Sequence, residues 1–231
     1  NKSDLSQFKG GRYQQTPKMY MFCRQDRRYP CLLLGRAAFG QAMLDEQGKL
    51  WHQPVLGYSR HKKKFNQFNG NTPSGSFLVD SVMPKANKRL VFGKFRRFIL
   101  DFVRVSENES EQKKLLPLSS YDETWWHEGM IARDMGRGLF RIHGTGLINF
   151  DTRSPFYKFY ATSGCIATRE NTYDDIEYFD QRQLLDRWMI AQGLTAAYDN
   201  ETSVRGILYV INIDNKKSAV SLRDLQSLGI F

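Results

Sequence analysis

What this chain lacks narrows its reading first. Nowhere in its 231 residues do apolar side chains run for the ~20 positions that a membrane-spanning helix needs, and runs such as Cys31 to Leu34 are strand-sized. No transmembrane segment is therefore expected. The four histidines, His52, His61, His127 and His143, show no His-x-x-x-His spacing, and no Cys-x-x-Cys pair accompanies them. No metal site is expected from them. Walker-type and Gly-x-Gly-x-x-Gly loops are absent, so nothing points to a nucleotide, and no cofactor is expected. RNP, zinc-finger and helix-turn-helix patterns are missing too, so no nucleic-acid partner is expected. The chain shows no internal repeat and no low-complexity linker. Its first residues, Asn1-Lys-Ser-Asp, carry no leader, which fits a cytosolic protein or one already processed.

Positive charge is plentiful. Lys and Arg number 34 against 24 Asp and Glu, a balance of +10, so an acidic partner is expected. The length suits one well-cored domain, or one domain with a sizeable insertion. A hydrophobic share of 41% and a mean hydropathy of −0.54 describe a globular chain.

The pattern along the chain reads as mainly β with added helices. Residues 1–17 form a polar N-terminal arm, and 18–231 form one domain with an insertion at about 106–138. Lys18 to Gly40 reads as a hairpin, Met43 to Trp51 as two short strands about the Asp45-Glu-Gln-Gly48 turn, and Asn71 to Asp80 as a Pro/Gly turn opening into a strand. Arg89 to Phe92 and Phe98 to Val105 are strand-prone. The run Ser59-Arg-His-Lys-Lys-Lys-Phe65 reads as a solvated loop, with a contact for phosphate or carboxylate as the functional alternative. A helix is expected from Asn171, with Ile176, Phe179, Leu184, Leu185, Trp188 and Met189 at helical spacing, stopping at Gly193. Gly206 to Ile213 is a buried strand, and Ser221 to Phe231 carries a short terminal helix.

Three cysteines divide into two groups. Cys23 and Cys31 lie in two strand-like runs joined by a polar turn, which would set their sulfurs opposite one another. A disulfide and two buried thiols both fit; the first would place the chain in an oxidising compartment. Cys165 stands apart, after a Ser-Gly pair and downstream of His143-Gly144. A thiol is a nucleophile only as thiolate, and a nearby imidazole that takes its proton makes it one. The small residues around it leave room for a substrate, and the Gly164 and Cys165 amides are oxyanion donors in this reading. A papain-like peptidase would place Cys before His; here His comes first.

His143-Gly144-Thr, then Thr162-Ser163-Gly164-Cys165-Ile166, resembles the active-site signature of the L,D-transpeptidase family, the YkuD-like catalytic domain. Thr72-Pro-Ser-Gly-Ser-Phe77 resembles the Thr-Pro-x-Gly-x-Phe segment that precedes the family's catalytic half. Ser163 stands where the family has a second His, and Ala167 where it has Arg or Asn. The tail Gly-Cys-Ile-Ala-Thr-Arg-Glu resembles a divergent branch associated with hydrolysis of peptidoglycan attachments.

The resemblance implies a β-sandwich with an insertion before the catalytic His, and a cysteine enzyme of the periplasm or cell envelope. Cys165 would be the nucleophile, His143 the base, and the Gly144 carbonyl the group that replaces a third triad residue. Thr162, Ser163 and Gly164 would shape the oxyanion loop. Arg169, Tyr157 and Trp126 would contact substrate, although Arg169 could be a helix-start residue and Trp126 a core anchor. The substrate implied is a peptidoglycan stem peptide, passed as an acyl-thioester to an amine or, in a hydrolase on the same framework, to water. A basic, non-catalytic envelope-binding module is the reading of another class.

Overall fold

The computed structural model describes residues 15–86, 88–103, 109–117 and 120–230. Most of the expected N-terminal arm, the start of the insertion at 104–108, and residues 118–119 lie outside the described residues. Strands β1 (Lys18–Arg24), β2 (Cys31–Arg36), β3 (His52–Val55), β4 (Gly75–Val82), β5 (Phe98–Asp101), β6 (Phe140–His143), β7 (Ile166–Ala167) and β10 (Arg205–Asp214) build one mixed sheet. Its order is β3-β2-β1-β10-β4-β5-β6-β7. Its two ends come together, because the Leu56 amide donates to the Ala167 carbonyl at 3.0 Å and the Ala167 amide to the Leu56 carbonyl at 2.8 Å. The protein is thus mainly β, one large sheet curled almost into a barrel. A two-sheet sandwich was expected; pairing just past β3 with β7 brings the edges of a single sheet together instead.

β10 lies near the centre, parallel to β1 and antiparallel to β4. Buried on both faces, it reads as the unbroken apolar run Ile207 to Ile211. The inner face is filled by helix α4 (Asp180–Ala191), whose Leu184, Leu185, Trp188 and Met189 recur every three to four residues and are all fully buried against Phe77, Phe98, Leu100 and Ile142. Each such side chain contributes roughly 1.5–3 kcal/mol before ordering costs. The outer face is covered by α2 (Glu109–Lys113), α3 (His127–Asp134) and the Trp125–Trp126 segment on one side. On another side lies α5 (Leu222–Ser227), held by a Ser221–Asp224 capping box with Leu225 on Phe22, Leu32 and Leu34.

Three local expectations change. Arg89–Phe92 is a one-turn helix, α1, rather than a strand. The segment after Cys165 does not begin as a helix: Thr172–Tyr173 (β8) and Ile176–Glu177 (β9) pair as a small hairpin. Asp174 and Asp175 at its tip hold φ of 49° and 62°, the turn conformation that Asp tolerates and that reverses a tight hairpin. The helix begins only at Asp180. The 43–51 segment closes through a single Leu44–Leu50 bridge around the Asp45 turn. β1 and β2 do form the hairpin, and Cys23 and Cys31 are bonded across it at 2.08 Å, both fully buried.

Candidate active site

Strand alternation along β6 sends Phe140 and Ile142 into the core and leaves Arg141 and His143 for the other face. Parallel pairing matches Ile142 with Ile166 and His143 with Ala167, which sets Cys165 level with Arg141. The imidazole and the one free sulfur therefore sit on neighbouring strands at the edge where the sheet closes. The Cys165 sulfur lies 3.9 Å from the Leu139 carbonyl at that point, and the Arg141 backbone amide favours its ionised form.

His143 is 3% exposed and packs edge-on against Phe92 of α1 with ring centroids 5.3 Å apart. Its Nδ1 lies 2.5 Å from the Gly144 carbonyl. A carbonyl only accepts, so Nδ1 carries the hydrogen and Nε2 keeps its lone pair. Burial drives the imidazole down from 6.5 to about 4, and the nearby charges of Arg97 and Arg141 add to that, against the Gly144 hydrogen bond. The resting ring is neutral.

Cys165 is half-exposed, yet its sulfur is deep enough that desolvation raises the thiol above its ordinary value. The Arg141 amide and the charges of Arg141, Arg97 and Arg137 pull the other way. Arg97 lies 3.9 Å over the Phe92 ring. Arg137 spans the gap to the 65–71 loop, donating to the carbonyls of Gly70 at 2.8 Å, Asn71 at 3.0 Å and Phe65. Burial lowers it to about 10, so it stays charged at neutral pH. Three arginines thus surround one thiol.

The turn before the sulfur is tightly built. Thr162 Oγ1 donates to the Cys165 carbonyl at 2.6 Å, and Thr72 Oγ1 to the Gly164 carbonyl at 2.9 Å. Gly164 holds φ +109°, and a Cβ there would collide with the Gly70 carbonyl and the Arg137 guanidinium; only glycine fits. Ser163 Oγ meets His61 Nε2 at 3.1 Å. A histidine from the basic 59–65 loop, read from sequence as solvated, therefore reaches the position before the Gly-Cys pair.

The remaining expected contacts lie elsewhere. Trp126 is 1% exposed, packed among Leu115, Leu116, Ile207 and Tyr209, its Nε1 donating to the Ser120 carbonyl at 3.1 Å. It anchors the insertion to the sheet and is not available to substrate. Arg169 pairs with Asp180 at 2.6 Å and stacks 4.1 Å from the Tyr178 ring, holding the start of α4. Tyr157 donates from its hydroxyl to Asp174 at 3.0 Å, on the β8–β9 hairpin tip.

Glu170 was missed. It is 2% exposed, with Oε2 accepting from the Lys94 amide at 2.5 Å and Oε1 buried without a hydrogen-bond partner. Its carboxyl fills the space where a Cβ on Gly144 or Gly93 would stand. Burial pushes it from 4.5 up to about 7, against the Lys94 amide. The group that supports the His143 loop from behind is thus half-protonated near neutrality. Nothing in a lone Glu after Thr-Arg signals this. Among the described residues, no group of three His, Cys, Asp or Glu side chains is arranged to hold a metal, and no helix is long and apolar enough to cross a membrane.

No family model, curated protein or solved structure matches this chain.

Proposed function

We propose that the chain is a cysteine acyltransferase of the L,D-transpeptidase kind, a YkuD-like catalytic domain acting on peptidoglycan stem peptides in the cell envelope. The observation that most supports it is the placement of the free thiol of Cys165 beside the strand that ends in a buried imidazole, whose Nδ1–H is taken up by Gly144, leaving Nε2 as the base. A buried Cys23–Cys31 bond fits an oxidising compartment.

In this reading thiol and imidazole rest neutral. As the sulfur attacks the carbonyl of the third stem residue, meso-diaminopimelate, its proton passes to His143 Nε2. The amides of Gly164 and Cys165 take the developing oxyanion, with the arginine charges behind them. Collapse breaks the peptide bond, the imidazolium returns its proton to the departing D-amino acid, and an acyl-thioester remains. An acceptor amine then attacks the thioester while His143 takes its proton, and the thiol is regenerated. The Gly144 carbonyl keeps the ring in the useful tautomer throughout.

Mass spectrometry of muropeptides incubated with the protein tests this. Cross-linked stems or amine adducts, absent with Cys165→Ala, are expected. Shortened or released stems alone would make water the acceptor and the protein a hydrolase. Unchanged muropeptides with intact binding would refute the enzyme reading in favour of a binding module.

A further inference from the structure

Beside the thiol corner runs an open groove of about 490 Å³. Four cations line it, Arg28, Arg60, Lys62 and Arg153, against the single carboxylate of Asp151. Arg28 is paired with Asp26 and Arg153 with Asp151, but Arg60 and Lys62 have no acidic partner within ion-pair distance among the described residues. Arg60 and Lys62 are solvent-exposed, and positive charge gathered along one groove without counter-charge favours an anion there. The groove wall also includes Asn149, whose side-chain amide lacks a hydrogen-bond acceptor in the protein.

The remaining wall is aromatic. Tyr58 and Phe156 pack on each other with centroids 5.3 Å apart, and Tyr160 stands nearby on the segment leading to Thr162. Such faces accept the apolar body of a ligand whose charged ends meet the guanidinium groups. The groove is continuous in structure with the reactive turn. The Arg60 amide donates to the Thr162 carbonyl at 2.8 Å, and His61, between the two unpaired cations, touches Ser163.

We propose that this groove is a binding site for a small ligand carrying two or more oxyanions, carboxylate or phosphate, on an apolar or ring-bearing body. Arg60 and Lys62 supply the charge, Asn149 the directional donor, and the Tyr58–Phe156–Tyr160 wall the contact surface. The site stands without any assumption about what Cys165 does.

The test uses the Cys165→Ala protein, so that binding is read apart from chemistry. Fluorescein-labelled tri-glutamate is titrated by anisotropy at low and moderate salt, with unlabelled tri-glutamate and pyrophosphate as competitors. Saturable binding is expected, weakened about tenfold or more by combined Arg60→Ala and Lys62→Ala, both exposed positions, with an unchanged circular dichroism spectrum. The charge-matched pair Lys85→Ala and Arg223→Ala, also exposed and outside the groove, should leave affinity within a factor of about two. Stronger competition by pyrophosphate assigns the ligand to phosphates, stronger competition by tri-glutamate to carboxylates, and either supports the site. Absence of saturable binding overturns it. So does equal weakening by both charge pairs, which would reduce the effect to the overall charge of the protein. Loss of binding here leaves the acyl-transfer reading intact, and inert muropeptides leave this one intact.

Discussion

The two cysteine corners of this sheet make opposite use of the same element. At the β1–β2 corner both sulfurs are fully buried among Met21, Leu33 and Val55, and each satisfies the other. At the β6–β7 corner a single sulfur is left half-exposed, with an imidazole on the neighbouring strand and three guanidinium groups around it. The first environment is apolar, so a thiol there packs as a small hydrophobe and is inert. The second combines partial burial with positive charge, the surroundings in which a thiolate forms during reaction. Position relative to the closing seam separates them. β1 and β2 lie inside the sheet, whereas β7 is at its end and is closed by isolated bridges, Leu56–Ala167 and Ser59–Thr162, and not by a full strand.

Breaking each corner in turn should give crossed outcomes. Cys165→Ala is expected to lower stem-peptide turnover by about a thousandfold or more while changing the urea midpoint little, because the residue is only partly buried and the substitution removes a single atom. Cys23→Ala with Cys31→Ala should keep the alkylation rate of Cys165 but cost roughly 2–3 kcal/mol of stability, the loop-closure contribution of a bond across eight residues. Turnover and denaturation measured on both proteins decide it. A loss of activity in the second that exceeds its unfolded fraction would mean that the two corners are coupled.

Much of this was legible from the residues. The hairpin around Cys23 and Cys31, the buried run of β10 and the apolar spacing of Leu184, Leu185, Trp188 and Met189 follow from periodicity, which local chemistry alone sets. The nearness of His143 to Cys165 followed from motif order. Hidden features were those made by contact across the chain. Arg97 and Arg137 reach the sulfur only because β5, β6 and the 65–71 loop converge there, and Gly136-Arg-Gly138 looks like any turn. Glu170 gains its character from burial against Gly144 and Gly93, which no neighbouring residue announces. Asn171 to Phe179 misled because acidic residues before an apolar stripe serve a hairpin tip and a helix start equally well. For Trp126 the residues left a substrate contact and a core anchor both open, and its burial makes it the anchor.

A second difference between the corners is their response to pH, since the bonded sulfurs of Cys23 and Cys31 do not titrate, whereas burial at the β6–β7 corner moves His143 and Glu170 in opposite directions. His143 has an ordinary value of 6.5 and lies at about 4 when folded, so between those values the unfolded chain binds a proton that the native state refuses. Its contribution is present above pH 6.5 and is lost as pH falls toward 4, by about 1.4 kcal/mol per unit. Glu170 runs from 4.5 to about 7, so the native state binds the extra proton and its contribution is lost as pH rises through 7. Between about 4.5 and 6.5 the two slopes oppose and cancel. Glu170→Gln removes one of them. Its stability should then rise with pH more steeply than that of the parent, by about 2–3 kcal/mol across that window, read from urea unfolding at its two ends. Parallel pH dependences in the two proteins would show that Glu170 titrates as an ordinary carboxylate.

The smallest effect isolates the charge that distinguishes one sulfur from the others. Arg141 supports Cys165 twice, through an amide that no substitution removes and through a guanidinium that Gln replaces without charge. Arg141→Gln therefore leaves the amide and takes away one of three positive neighbours. Losing that charge raises the thiol further and lowers the thiolate fraction at neutral pH. Iodoacetamide reacts with thiolate only, so its rate against pH reads this directly. The curve of Arg141→Gln should move to higher pH and meet the parent's plateau in alkali, where both thiols are ionised. The same substitution leaves the Cys23–Cys31 bond untouched, so label must appear at one cysteine only. An unmoved curve would mean that solvent screens the arginines from the sulfur, and the contrast between the two corners would then rest on exposure alone.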